Sequence, residues 1–472
     1  MGIWRKARAS MKSAVVIALC HVGLACFFWS RGQYFNAYYW IAALMGVLLI
    51  PYLYAIVVKK TFIPYEAVYL YLGAFLSNYT GSAFLAVDQI TYPPDVWEAV
   101  MKMVTAGAVS FLAGYWINPG KGLARALPLK NYIFPEERLP ELPVKLYCIG
   151  GGLRIFFALN PTLAQFTGWQ IIGIVMNYSI SMGLMIDTYL AFSPRTPEGG
   201  LGPRERRKHL MRAAVILPLE MLYGVLAGFS SMVLAPIALV CVAYIKATKK
   251  IPVVTIAIVV LLFATFVIPF TKTFRSYYWA GSDIKVSLHN TLEDLSNKDR
   301  MEDQRTVAVG RIGNSVQLAV TCYQKKEEGV MVKTYASLFD YLCQFIPRFM
   351  WPNRPSVNYN RVGKELGLLN PDDNTTSCGL TLIAAFIINN GFIGVVIGMF
   401  FVGALIRFLW EWLMVRSGEN LMTFLIYFQL LKVWVFEDQE FFVALHATIA
   451  FVLYTYFMLG FINKKKLKKA AR

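Results

Sequence analysis

Long apolar runs separated by short polar or basic breaks dominate the chain. A membrane-crossing helix needs about 20 mostly apolar residues. That ruler picks out stretches at 13–30, 37–58, 64–87, 96–117, 142–160 and 168–192, and then at 213–228, 230–246, 252–271, 379–403, 419–436 and 441–461. The pair at 213–246 has two short members that meet at Gly228-Phe229-Ser230-Ser231, a small-residue break suited to a tight helical turn. One kinked helix there would flip every later loop, so the count turns on this pair.

Charge placement favours two helices. With the N-terminus inside, Lys59-Lys60, the stretch Lys121–Lys145, Arg204–Arg212, Lys246–Lys250 and the tail Lys464–Arg472 all fall on the cytoplasmic side. The short outer turns then hold Asp88, Asp95 and Glu98, and Glu437, Asp438 and Glu440. This is the positive-inside pattern. An odd helix count would put the lysine tail outside, against the rule. The expectation is an all-α polytopic membrane protein of about 12 helices with both termini cytoplasmic. The basic start from Arg5 to Lys12 and the apolar run after it, which ends without a small-residue cleavage site, read as a retained signal anchor.

From Lys272 to Cys378 no apolar run is long enough to span. The segment carries fourteen Lys/Arg against twelve Asp/Glu, the near-neutrality expected of a translocated loop. The expected organisation is therefore residues 1–271 as helices one to nine, 272–378 as a large extracytoplasmic loop, and 379–472 as helices ten to twelve with a basic tail. Loops this long commonly carry function. Within it, Tyr335–Met350 places Leu338, Phe339, Leu342, Phe345 and Ile346 on one helical face, which predicts a helix lying in the outer interface.

Composition agrees. Some 57% of the 472 residues are hydrophobic and only 16% charged, where a soluble domain carries about 25% charged residues. The net charge of +18 is spread between apolar runs rather than gathered on a basic face with exposed aromatics, which excludes nucleic acid as a partner. The seven cysteines include three in the long loop, Cys322, Cys343 and Cys378, an odd number for a disulfide framework. The four histidines form no pair at metal-ligand spacing, so neither metal nor cofactor is expected.

Chemistry concentrates at Phe345-Ile346-Pro347-Arg348-Phe349-Met350-Trp351-Pro352-Asn353-Arg354-Pro355. Two arginines held between prolines and aromatics at a membrane surface make an anion clamp, because guanidinium forks match phosphate oxygens in a bidentate way. The competing reading is that both arginines anchor to lipid headgroups, with Trp351 as a belt residue. Two carboxylates fall inside apolar runs, where they are costly and often functional. Asp187 lies near a cytoplasmic helix end and is expected to reach the interface. Glu220 lies closer to mid-membrane and serves either structural pairing or substrate contact.

The proline-arginine stretch resembles the Ile-Pro-Arg-x-x-Trp-Pro-x-Lys/Arg-Pro signature of the Wzy-type O-antigen and exopolysaccharide repeat-unit polymerases. Gly310-Arg311-Ile312 upstream is similar to that family's arginine entering the large loop. Gly363–Gly367 and Asn389-Asn390-Gly391-Phe392-Ile393-Gly394 downstream are similar to its glycine-bearing approach and Asn-x-Gly-x-x-Gly helix. The chain departs from the family at Gly228–Ser231, which lacks the arginine of a Gly-Ser-Arg turn, and at Ala385, where members often carry an acid.

The resemblance implies a GT-C-like fold in a bacterial inner membrane. It implies metal-independent glycosyl transfer from undecaprenyl pyrophosphate to the next lipid-linked repeat, with a chain-length regulator as candidate partner. Arg311, Arg348 and Arg354 would stabilise the pyrophosphate, with Asp340 the nearest carboxylate for a base. Arg275, Arg361, Lys364 and Glu220 would contact substrate. An O-antigen ligase-type enzyme shares this architecture, and His289-Asn290 resembles the ligases' His-Asn motif, though about ninety residues separate it from the next apolar run. A secondary transporter or flippase of twelve helices is the other class. The two halves show no resemblance to one another, against the internal repeats of such carriers.

Overall fold

The computed structural model describes residues 8–33, 35–75, 79–80, 93–129, 132–133, 136–160, 169–193, 201–227, 230–296, 314–330, 343, 346, 350–351, 353, 359–372, 379–418, 420–435 and 441–470. The structure is all-helical, 84% helix, with no strand among the described residues. In a hydrocarbon environment every backbone N–H and C=O must be satisfied inside its own segment, which the α-helix does.

In chain order the helices are α1 (Arg8–Arg31), α2 (Ala37–Leu53), α3 (Ala67–Phe75), α4 (Pro94–Ile117), α5 (Lys121–Ala126), α6 (Leu142–Leu159), α7 (Trp169–Phe192), α8 (Pro203–Leu226) and α9 (Ser230–Thr248). Then follow α10 (Val253–Leu262), α11 (Ile268–Trp279), α12 (Ile284–Ser296), α13 (Asn314–Glu327), α14 (Tyr359–Glu365), α15 (Leu382–Trp410), α16 (Leu421–Val435) and α17 (Phe441–Ala470). Among the described residues, six helical stretches are long and apolar enough to cross a membrane: Met11–Arg31, Ala37–Lys59, Pro94–Ile117, Arg138–Leu159, Pro203–Leu226 and Leu382–Val415. Met232–Thr248, Leu421–Trp434 and Ala444–Gly460 are shorter apolar helices. Each apolar stretch found in the sequence carries helix over all or part of its length.

The chain forms two compact units. The first comprises Met1–Glu136, Gly152–Met176 and Gly313–Arg472. Its centre is the crossing of α4 and α15. A Cβ added at Gly114 would land on the Phe400 carbonyl oxygen, and one at Gly403 on the Phe111 carbonyl oxygen, so the two backbones touch where only glycine fits. Small residues at a helix crossing give the close packing that replaces hydrophobic driving force in lipid. Thr105 Oγ1 hydrogen-bonds across to the Trp40 carbonyl at 3.2 Å, tying α4 to α2. The Tyr71 and Phe111 rings stack at 4.2 Å. α16 is core on nearly every side, with Phe424, Tyr427, Phe428 and Leu431 all buried.

The second unit comprises Glu137–Gly151 and Asn177–Ile312. Here α8 and α9 are separate helices folded onto one another: a Cβ at Gly224 would sit 2.8 Å from the backbone of Met232 and Val233. α8 and α9 therefore pair as a helical hairpin rather than forming one kinked helix. α8 begins at Pro203, so the basic cluster Arg204–Arg212 rides on its first turns instead of forming a loop before it. The run at 252–271 continues through a π-helical turn (Phe263–Val267) and α11 to Trp279, about 40 Å of rod at 1.5 Å per residue. Gly281, with φ of 94°, then reverses the chain into α12. Tyr277 donates to Asp294 at 2.7 Å to close this second hairpin.

The interfacial helix expected over Tyr335–Met350 lies almost wholly outside the described residues. Cys322 and Cys343 are buried free thiols.

Candidate functional site

The motif Asn389-Asn390-Gly391 breaks α15. Leu382–Asn390 forms a half-helix capped by Thr381, whose side chain accepts from the Ala384 N–H at 3.3 Å. Gly391 then takes φ 62° and ψ −145°, and the helix restarts. That backbone region is open essentially to glycine alone. The break leaves the last carbonyls of the half-helix without intrahelical partners, at the negative end of its dipole. Asn389 donates its side-chain amide back to the Ala385 carbonyl at 2.6 Å.

A lysine from α13 completes the end. α13 packs against α4 and α15 through Val316, Ala319, Val320 and Cys322, all buried. This docking carries Lys326 to the break, where its ammonium donates to the carbonyls of Ile388 and Asn389, each at 3.4 Å. The fit is close: a Cβ on Gly391 would sit 3.1 Å from Lys326 Cε. The same helix presents Tyr323, whose phenol is pushed up by burial first and then by Glu327 and Asp95, while Lys102 acts the other way. It stays a neutral donor. On α4, Lys102 pairs with Glu98 at 2.8 Å and lies 5.5 Å over the Trp40 ring. The result is a partly exposed polar patch of one broken helix, one clamping lysine and the start of α4, directly bordered in sequence by the arginine-rich loop segment. Its lysines and the half-helix carbonyls are the polar groups this patch presents.

Arg311, Arg348, Arg354 and Asp340 lie outside the described residues. Arg361 pairs with Glu365 at 3.1 Å along α14, which also carries Lys364. Arg275 lies over the Trp279 ring at 3.8 Å on α11. Glu220 is half-buried on α8. Arg361 and Lys364 belong to the first unit and Arg275 and Glu220 to the second.

Asp187 is fully buried within the protein. Arg212 holds it side-on, Nη2 at 2.7 Å from one oxygen and Nε at 3.1 Å from the other. Tyr147 donates to it at 3.0 Å and His209 Nδ1 lies 2.6 Å away. A carboxylate so fully occupied fastens α6, α7 and α8 together, with little capacity left for a ligand.

Sequence reasoning also passed over Lys326, because Lys325-Lys326-Glu327-Glu328 has the look of a solvated charge run. Only the helix break beside it reveals the role, and the signal available in sequence was the glycine of Asn389-Asn390-Gly391.

These features define an all-α protein with several helices long and apolar enough for a membrane, and with a helix break clamped by a lysine. A family profile described as a domain of unknown function (DUF8712) matches residues 127–469, and the chain belongs to that family. No curated protein and no solved structure matches it.

Proposed function

We propose that the protein is a polymerase of lipid-linked oligosaccharide repeats, a twelve-helix, GT-C-like glycosyltransferase of the bacterial inner membrane acting on its outer side. The observation that carries this reading is the pairing of the Ile-Pro-Arg…Trp-Pro-x-Arg-Pro stretch with a second motif, Asn389–Gly394, at which α15 breaks and a lysine of α13 is clamped.

In the proposed reaction a sugar hydroxyl of the incoming repeat attacks the anomeric carbon of the growing glycan. The bond from that carbon to the pyrophosphate oxygen breaks, and undecaprenyl pyrophosphate leaves with the bonding electrons. The hydroxyl proton passes to a base, for which Asp340 is the nearest carboxylate in sequence. Charge builds on the departing pyrophosphate, and Arg311, Arg348 and Arg354 are suited to stabilise it electrostatically. Arg275, Arg361, Lys364 and Glu220 are the proposed substrate contacts, and a chain-length regulator is the proposed partner.

The test is gene deletion with complementation, reading surface glycan length and lipid-linked intermediates. Single repeats or accumulated lipid-linked repeats support the proposal. Unchanged glycan length with lost uptake of a small solute would replace it with a transporter.

A further inference from the structure

A second polar site lies toward the other end of α15. Arg407 follows Gly391 by sixteen residues, about 24 Å along a helix axis. There a cavity of about 250 Å³ opens among Lys59, Glu66, Tyr115, Trp116 and Arg407. Its charges come from three places. Lys59 ends the π-helical turn that extends α2, Lys60 reverses the chain at φ 50°, and Glu66 follows just before α3. Arg407 comes from the last turn of α15.

The groups interlock. Lys59 Nζ lies 2.9 Å from Glu66, and the Tyr115 hydroxyl donates to the other Glu66 oxygen at 3.2 Å. Arg407 sits 3.8 Å from that oxygen and donates to Glu411 at 3.3 Å. Two cations and two carboxylates balance, as apolar surroundings demand. Donor capacity remains, since an ammonium has three N–H groups and a guanidinium five. Depth is graded: the Lys59 and Arg407 side chains are 32% and 26% exposed, while Glu66 is 6% exposed. The cations thus stand nearer the opening and the carboxylate deeper. Tyr54 and Trp116 line the cavity and are exposed, and Val57, Val58 and Ile117 beside them are exposed and apolar. The buried Tyr427 hydroxyl has no hydrogen-bond partner among the described residues.

We propose that this cavity binds the headgroup of a zwitterionic aminophospholipid, its phosphate on Lys59 and Arg407 and its terminal ammonium on Glu66. The order of charges from mouth to floor, cation then carboxylate, is the complement of a headgroup that enters ammonium first. A neutral zwitterion keeps the four-charge balance, whereas an anionic headgroup would leave a net negative charge in a low-dielectric site. The exposed aromatic and aliphatic residues at the mouth suit the glycerol and acyl region. The inference needs only a membrane location and stands apart from the glycosyl-transfer reading.

Full-length protein purified in mild detergent would be exposed to equimolar phosphatidylethanolamine and phosphatidylglycerol, and retained lipid read by native mass spectrometry. Wild type is expected to keep phosphatidylethanolamine about tenfold over phosphatidylglycerol, and Lys59→Gln to lose about tenfold of that retention. Lys59→Arg and the remote Lys208→Gln should keep it. Glycerophosphoethanolamine should compete only at far higher concentration than the lipid; competition at equal concentration would make the ligand a soluble phosphoester and overturn the lipid assignment. Equal retention of the two lipids, or unchanged retention in Lys59→Gln, would overturn the site. Should that variant fail to accumulate, Val68→Phe narrows the cavity without removing a charge, and lost or kept retention decides in the same way.

Discussion

Replacing Gly391 by alanine strikes the helix break where its geometry is least forgiving. The native φ of 62° with ψ of −145° is a region that costs a non-glycine residue on the order of 1–3 kcal/mol. The new methyl would also meet Lys326 Cε at 3.1 Å, tight enough that the lysine must give way. Both effects fall on the contact between α13 and α15, and Cys322 on α13 is a fully buried thiol that reports its opening. When labelling is limited by a rapid local opening, its rate scales with the open population, so about 1.4 kcal/mol is tenfold. Gly391→Ala should therefore raise maleimide labelling of Cys322 by about fivefold to about a hundredfold, in a background where the other six cysteines are replaced. Lys326→Met should raise it less, about fivefold. Its two bonds are long at 3.4 Å and the side chain is partly exposed, which together discount them to about 1 kcal/mol. Labelling unchanged in Gly391→Ala at matched protein level would mean that the break is not held by α13 and would refute the clamp.

Other outcomes follow from the same geometry. Asp187→Asn should destabilise the protein by about 3 kcal/mol, since it strips Arg212 of its paired charge, and most of that loss should vanish in an Arg212→Met background; additive losses in the double-mutant cycle would show that the two are not coupled. Arg311→Lys, Arg348→Lys and Arg354→Lys should each insert normally yet cut polymer formation about ten- to a hundredfold, because lysine lacks the planar fork, whereas Arg300→Lys should be nearly silent. Wild-type glycan from all three would leave only lipid anchoring for those residues. Reporter fusions at Lys208 and Lys469 should read cytoplasmic and one near Lys325 should read outside; a cytoplasmic Lys325 would sink topology and function together.

The apolar runs by themselves located the long helices, because hydrocarbon would leave the backbone no other way to satisfy its polar groups, but not α5, α12, α13 and α14, which lie outside them. Local chemistry also marked one break, Gly228–Ser231 between α8 and α9, whereas the interruption of α15 at Gly391, inside a run read as one helix, came only with the structure. What could not be read along the chain is which isolated charges meet. Asp187 lies alone in its apolar run, and only the fold brings Arg212, His209 and Tyr147 from neighbouring helices around it. Glu66 and Arg407 are more than three hundred residues apart, and nothing in either apolar run announces the other. Lys326 carried no sign of its role in the sequence, and only the docking of α13 beside the broken helix gives it one. Helix formation depends on neighbours three and four positions away and on the surrounding solvent, so it is written locally. Pairing of buried charges depends on how helices cross, as where Gly114 of α4 meets the Phe400 carbonyl and Gly403 of α15 the Phe111 carbonyl, contacts that only the packed structure contains.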